Sequence, residues 1–239
     1  DGSGAGGGRL ILHEVTLQDC SGWGLYAYML WGRSVLSNIF IRRCGGELAH
    51  ILDDDTRSGG MCFHGPCVDF TVIDPHDYNG GYADPAMNGR GTGIKIGCER
   101  DDLAGRRLYG IGGNQLFRGV FVERRRMTID VADTLSAMFL QTSVSDGEMR
   151  LGRGSHPDNN CKVSFRQSRS FQLTKITIEG QLVDLGDFLN QDGATELAVE
   201  YYTGFKMDRP DSAAAGSRMK VRFEPKMDAS AIKGTKSLA

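Results

Sequence analysis

The chain has 239 residues, 40% of them hydrophobic and 24% charged, with a formal net charge of −2. That mix suits a folded protein and excludes a disordered polyelectrolyte. No run of about 18 apolar residues could span a membrane, and no general basic field exists to hold nucleic acid.

Residues 1–8, Asp-Gly-Ser-Gly-Ala-Gly-Gly-Gly, read as a flexible leader. Their glycine pattern fits a dinucleotide fingerprint but lacks the strand that must precede one, so it is set aside. The 33 glycines are about twice the ~17 that average usage of about 7% would give. Such an excess suits a chain with many tight corners.

From residue 9 the chain repeats itself. Arg9-Leu10-Ile11-Leu12-His13-Glu14-Val15-Thr16-Leu17-Gln18-Asp19-Cys20 lies without a gap over Arg33-Ser34-Val35-Leu36-Ser37-Asn38-Ile39-Phe40-Ile41-Arg42-Arg43-Cys44, 24 residues on. An ungapped repeat in one direction does not come from antiparallel hairpins. It predicts an all-β solenoid, a parallel β-helix with coils of about 24 residues. Cys20 and Cys44 should then stack one coil apart, as packed thiols or, alternatively, as a disulfide.

Short strands with sharp corners are predicted through residues 9–126, including 10–12, 15–18, 24–29, 35–36, 39–42, 68–73, 93–96 and 119–123. Asp69–Asp74 reads as the continuation of Glu14–Asp19, displaced by a loop inserted around 53–60. A second insertion, 78–91, is rich in Gly, Asn, Asp and Pro, and insertions into a solenoid often carry binding. Residues 127–225 read as further irregular coils or a β-rich cap, with 195–201 open between helix and strand. Residues 226–239 read as a polar tail. The run Arg124-Arg125-Arg126 reads most simply as a solvated edge after a strand, with a phosphate- or anionic-glycan-binding role as the alternative. The chain begins at Asp1, which is read as a fragment or processed product with further coils upstream.

The strands Glu14-Val15-Thr16-Leu17-Gln18-Asp19-Cys20 and Asn38-Ile39-Phe40-Ile41-Arg42-Arg43-Cys44-Gly45-Gly46 resemble those of the pectin-lyase-like superfamily of right-handed parallel β-helices. That resemblance implies a right-handed solenoid. It also implies a function among polysaccharide lyases, uronate epimerases, glycoside hydrolases, phage tailspikes and inert adhesins. Asp74-Pro75-His76-Asp77 is similar to the Asp-Pro-His motif of mannuronan C-5 epimerases. By that resemblance Asp74 and His76 would be catalytic and Arg100 would face the substrate carboxylate.

Read as residues alone, the stretch from Asp74 to Asp102 is the richest in chemistry. Uronate chemistry needs a cation on the sugar carboxylate and a base, His or Tyr, to take the C5 proton. Hydrolysis needs two carboxylates at a fixed separation. Asp74, His76, Asp77, Tyr78 and Arg100 are the candidate catalytic set, with Lys95 an alternative partner for the carboxylate. Turn chemistry accounts for the same Asp and His residues without catalysis. Asp53, Asp54 and Asp55 are candidate substrate ligands that could also bind Ca²⁺ through oxygen, or a solvated turn. Cys62, His64 and Cys67 read as a loop disulfide or simple packing, with zinc shared with His76 or Cys98 as the alternative, although no second close ligand pair is present. Tyr26 and Tyr28 are candidate sugar-stacking rings, because Leu25 and Ala27 occupy the opposite parity.

The expected function is therefore that of a polysaccharide-directed β-helix. It would process an acidic glycan as lyase, epimerase or hydrolase, without an obligatory cofactor, on the outside of a cell or virion. The alternative is a non-catalytic structural or receptor-binding β-helix such as a tailspike segment. A monomer fits the first and a homotrimer the second.

Overall fold

The computed structural model describes residues 9–28, 30, 32–65, 67–97, 113–131, 134–151, 160–166, 170–178, 181–183, 195–202 and 218–225. Among the described residues it is all-β apart from one short α-helix and one 3₁₀ turn. In chain order come β1 (Ile11–Gln18), β2 (Trp23–Tyr28), β3 (Ser34–Arg42), α1 (Gly46–Leu52), β4 (Gly59–His64), β5 (Val68–Ile73) and β6 (His76–Tyr78). The 3₁₀ turn Pro85–Met87 precedes β7 (Thr92–Ile96), β8 (Gly113–Arg118), β9 (Phe121–Glu123), β10 (Met127–Val131), β11 (Thr134–Leu140) and β12 (Ser143–Leu151). The last strands are β13 (Asn160–Arg166), β14 (Ser170–Ile178), β15 (Gln181–Val183), β16 (Thr195–Tyr202) and β17 (Arg218–Pro225).

The chain returns in turn to three parallel ladders. The first holds residues 11–13 of β1, 35–37 of β3, then β5, β8, β11 and β13. The second holds 15–18 of β1, 40–42 of β3, β6, β9, and the starts of β12 and β14. The third holds β2, β4, β7, β10 and the ends of β12 and β14. Antiparallel pairs occur late in the chain, where β16 pairs with β13, β17 with β16, and β15 with β14.

The β1/β3 register puts Ile11 opposite Val35 and Leu17 opposite Ile41, the alignment the repeat predicts. Two expectations need correction. The 24-residue spacing is confined to that first pair: Phe40 stands opposite His76, and His76 opposite Phe121. The segment before Asp74 also continues the other half of the repeat. Phe70 lies over Ser34 and Val72 over Leu36, so β5 belongs to the first ladder and 74–78 to the second. The reason lies in the stretch between Arg42 and Val68. It holds the helix α1 and the strand β4, so it is more than an inserted loop.

Single left-handed residues turn the chain between ladders. Glu14, Asn38, Asp74, Gly119 and Gln141 all have φ between 48° and 67° and succeed one another at the corner from first to second ladder. Asp19, Arg43 and Arg124 do the same from second to third, and Arg33, Asp69 and Asn114 at the entry to the first. One residue in this region bends the strand, and Asn, Asp and Gly tolerate it best. The corners are tied by backbone bonds: Asp74 N–H donates to Arg118 O at 2.8 Å and Gly119 N–H to Leu140 O at 2.9 Å.

The core follows from in-register parallel pairing, which sets like positions about 4.8 Å apart. Leu36, Val72, Phe117, Phe139 and Phe165 succeed one another inside the first ladder, all fully buried. The rings stack: Phe117 on Phe139 at 4.6 Å, Phe139 on Phe165 at 4.7 Å. Burial of each such ring removes a large apolar area from water and stabilises by about 1.5–3 kcal/mol.

Candidate functional site

The second ladder divides the Asp74–Tyr78 stretch between opposite sides. Alternation along β6 sends Asp77 inward and His76 and Tyr78 outward. Asp77 takes its place in the core row Leu17, Ile41, Asp77, Val122, Val144. A lone carboxylate there would be severely destabilised. It is answered by Arg125, itself fully buried, whose Nε and Nη2 donate to the two Asp77 oxygens at 2.7 Å each. Arg125 Nη1 also donates to the carbonyls of Cys44 and Arg90, both at 2.9 Å. The expectation of a solvated Arg124–Arg126 run is therefore wrong at its centre. The chain turns left-handed at Arg124, and Arg125 enters the interior.

Room for this pair is made by glycine. A Cβ at Gly60 would lie 2.7 Å from Asp77 Oδ1 and one at Gly93 3.2 Å from Oδ2. Burial pushes the Asp77 carboxyl up, while the Arg125 guanidinium pulls it down. The same corner holds Cys44, whose thiol burial pushes up to about 12, and Tyr82, pushed up to about 12 by burial, whose hydroxyl accepts from Gly46 N–H at 3.2 Å.

The outward face of the second ladder carries two adjoining rows. One is Phe40, His76, Phe121; the other is Arg42, Tyr78, Glu123. The His76 ring is held edge-on between Phe40 at 5.1 Å and Phe121 at 4.7 Å. Phe121 is 40% exposed. The Arg124 guanidinium lies over the Tyr78 ring at 5.7 Å, a cation–π contact. Two polar atoms on this face are buried without a hydrogen-bond partner, His76 Nε2 and Arg42 Nε. Asp74 stands at the corner beside this face, where its side chain fills the space that a Cβ at Gly119 would need.

The remaining candidates lie elsewhere. Tyr26 and Tyr28 are exposed on the third ladder, at 52% and 42%, and both lean on His64, at 5.7 and 5.6 Å. Lys95 is on that ladder too, in the outward row Tyr26, Cys62, Lys95, Asp130, Arg150. It is buried, and its Nζ donates to Thr56 O at 2.7 Å. Asp130 in the same row is fully buried and accepts from Arg150 at 2.8 and 2.6 Å. Lys95 is thus not brought to the face that carries His76 and Tyr78.

Asp53, Asp54 and Asp55 tie loops together. Asp55 accepts from Arg90 Nε at 2.7 Å, and Asp53 from Arg90 Nη2 at 3.0 Å. Asp54 accepts from Thr56 N–H at 2.9 Å and Arg57 Nε at 3.2 Å. Among the described residues no group of three or more His, Cys, Asp or Glu is placed to hold a metal ion. Cys20, Cys44, Cys62 and Cys67 are thiols outside any disulfide. Arg100, Cys98, Glu99, Asp101 and Asp102 lie outside the described residues.

Sequence reasoning named His76 and Tyr78, and gave the Arg124–Arg126 run an anion-binding alternative, but missed Phe40, Phe121, Arg42 and Glu123. The available signal was parity within the repeat. Once 74–78 is set over 38–42, Phe40 and Arg42 share the outward positions of His76 and Tyr78. Comparison with family models, curated proteins and solved structures yields no match to this chain.

Proposed function

We propose that the three ladders wind as a right-handed parallel β-helix of the pectin-lyase-like kind, and that an acidic polysaccharide lies along the outer face of the second ladder. The observation that carries this reading is the row Phe40, His76, Phe121, three rings at regular spacing on successive strands with the last well exposed. A polymer of repeating units suits a surface that repeats, and aromatic faces and edges pack against the apolar sides of sugar rings. The guanidinium groups of Arg42 and Arg124 beside this row favour a negatively charged chain. Tyr26 and Tyr28 on the third ladder supply a second stacking surface.

Processing of the glycan is the further step in this reading. His76 and Tyr78 on neighbouring outward positions could exchange a proton with a sugar carbon whose carboxylate is paired by a guanidinium. Asp77 takes no part in it, since its oxygens are engaged by Arg125. A structural, trimeric spike is the second reading. The outer row of the first ladder, Ile11, Val35, Thr71, Leu116, Met138, favours it, since it is apolar apart from Thr71 and none of its members is buried.

The experiment is a binding and product screen of the wild-type protein, Phe121→Ala and His76→Ala against alginate, pectate and bacterial capsular polysaccharides. Light scattering reports the oligomer. The reading expects binding that Phe121→Ala weakens at least tenfold. Ultraviolet absorbance of an unsaturated end, new reducing ends or proton NMR would report elimination, hydrolysis or epimerisation, lost in His76→Ala. Absence of binding to every acidic polymer overturns the glycan reading, and a stable trimer without binding replaces it with the spike.

A further inference from the structure

We infer that Arg42, with His76 diagonally beside it, forms an oxyanion subsite: a place for one carboxylate or sulfate group carried by a sugar. The inference deepens the glycan reading at the same face and rests on that reading only for the polymer that brings the group.

Two polar atoms on this face lack a hydrogen-bond partner, Arg42 Nε and His76 Nε2. Buried polar atoms without partners are rare in folded proteins, and each charged one is costly. Arg42 and His76 belong to neighbouring strands and adjoining rows, since Phe40 faces His76 and Arg42 faces Tyr78. Diagonal neighbours on adjacent parallel strands are about 8 Å apart. A guanidinium donates only, so Arg42 calls for an acceptor. His76 Nε2 donates or accepts according to its tautomer, and so suits a neighbouring hydroxyl.

The Asp19 carboxyl is held down first by its hydrogen bonds to Arg43, at 2.6 Å to Nε and 2.8 Å to Nη2, and to Gln18, and Arg42 adds to this only through space. Glu123 stands in the same row but beyond Tyr78, about 9–10 Å along the ladder at two strand spacings. Arg124 is over Tyr78 and adds positive charge to the face. There is also room. A Cβ built at Gly81 would meet only Arg42 Nη2 within 4 Å, at 3.9 Å. Arg42 is half-buried, and a turn of its side chain presents the Nε and Nη2 edge, which matches two oxygens of a carboxylate or sulfate.

The test reads Arg42 directly. Side-chain ¹⁵N–¹H NMR follows the Nε–H signals of the arginines while the full chain is titrated with glucuronate, glucose 6-sulfate and glucose at about 0.15 M salt, which screens diffuse surface charge. The expected result is a saturating shift of the Arg42 Nε–H with one or both anions and none with glucose. The active anion names the group. Arg42→Gln should abolish the saturable response, Arg42→Lys should keep only part of it, and Arg33→Gln, at a different corner, should leave it intact. For the polymer, Arg42→Gln should weaken binding roughly 10–100-fold, the loss of one charge-assisted hydrogen bond. No Arg42 shift with either anion overturns the subsite, whatever the polymers do. A saturable shift without polymer binding upholds the subsite and removes the glycan reading instead.

Discussion

Asp77 and His76 are neighbours in the chain and opposites in their chemistry. Asp77 is a charge inside a hydrocarbon row with both oxygens answered by Arg125, and Arg125 is answered in turn by two backbone carbonyls. His76 sits among rings on the outside with one nitrogen unanswered. The interior of a protein tolerates an ion pair only when its hydrogen bonds are complete. An outer face with open hydrogen-bonding capacity is where a ligand can add something. The comparison separates a residue that holds the fold from one that is free to serve it, although a motif-based reading treats the two alike.

The largest test of this contrast breaks the interior side. Asp77→Asn leaves Arg125 buried without its counter-charge and should destabilise by about 3–5 kcal/mol, measured by denaturant unfolding. Asp77→Leu with Arg125→Met should recover part of that loss, but not all, because the carbonyls of Cys44 and Arg90 lose their donor. An unfolding midpoint for Asp77→Asn within error of wild type would remove the ion pair from the account of stability. Next in size is Gly60→Ala, which drives a methyl group against Asp77 Oδ1 and the Gly93 carbonyl and should cost about 1–3 kcal/mol. The outward side gives the opposite sign: His76→Leu removes an unsatisfied nitrogen from between two phenyl rings and should be neutral or stabilising by up to about 1 kcal/mol.

Two smaller effects sharpen the same contrast at the Cys20/Cys44 corner. The buried Cys44 thiol, pushed up to about 12, should react with an alkylating reagent far more slowly at pH 8 than the more exposed Cys20, as mass spectrometry of modified peptides would show. The smallest effect is at Asp19, whose carboxyl the Arg43 hydrogen bonds hold below its ordinary value. A depressed folded-state value contributes stability above the unfolded pKa of about 3.9, and that contribution disappears as the pH falls through the folded-state value. Asp19→Asn should flatten this part of the melting-temperature profile between pH 5 and 2, and added salt should shrink the difference.

The first pair of strands was legible because Arg9–Cys20 and Arg33–Cys44 carry no insertion between matching positions. Later turns were not, because lengths change between Arg43 and Gly59 and between Asn79 and Gly91. Gly59-Gly60-Met61-Cys62-Phe63-His64 looks like turn chemistry at its start, yet the two glycines are there to clear the third ladder's backbone and Asp77, so the segment is a strand. Three residues, His76–Tyr78, are too few to show alternation, which left the inward course of Asp77 unread. Three consecutive arginines look solvated, and nothing local to them announces that the middle one meets an acid 48 residues earlier. Tyr26 and Tyr28 could be placed outward because Leu25 and Ala27 filled the alternate positions in a longer strand.

The corner between the first and second ladders has a consequence for how such a protein can vary. From Ile11 to Leu17, Val35 to Ile41, Thr71 to Asp77, Leu116 to Val122 and Met138 to Val144, the chain takes the same number of steps on five successive passes. The next pass, from Ser164 to Phe171, takes one step more; over the first five, every change of length falls on other parts of the circuit. The face built on these passes behaves like a ruled scale whose divisions stay put while the margins are redrawn. Loops at the remaining corners can grow, shrink or be exchanged without changing which side chain stands beside Arg42 or between Phe40 and Phe121. Grammar is kept on one side of the molecule and vocabulary on the others.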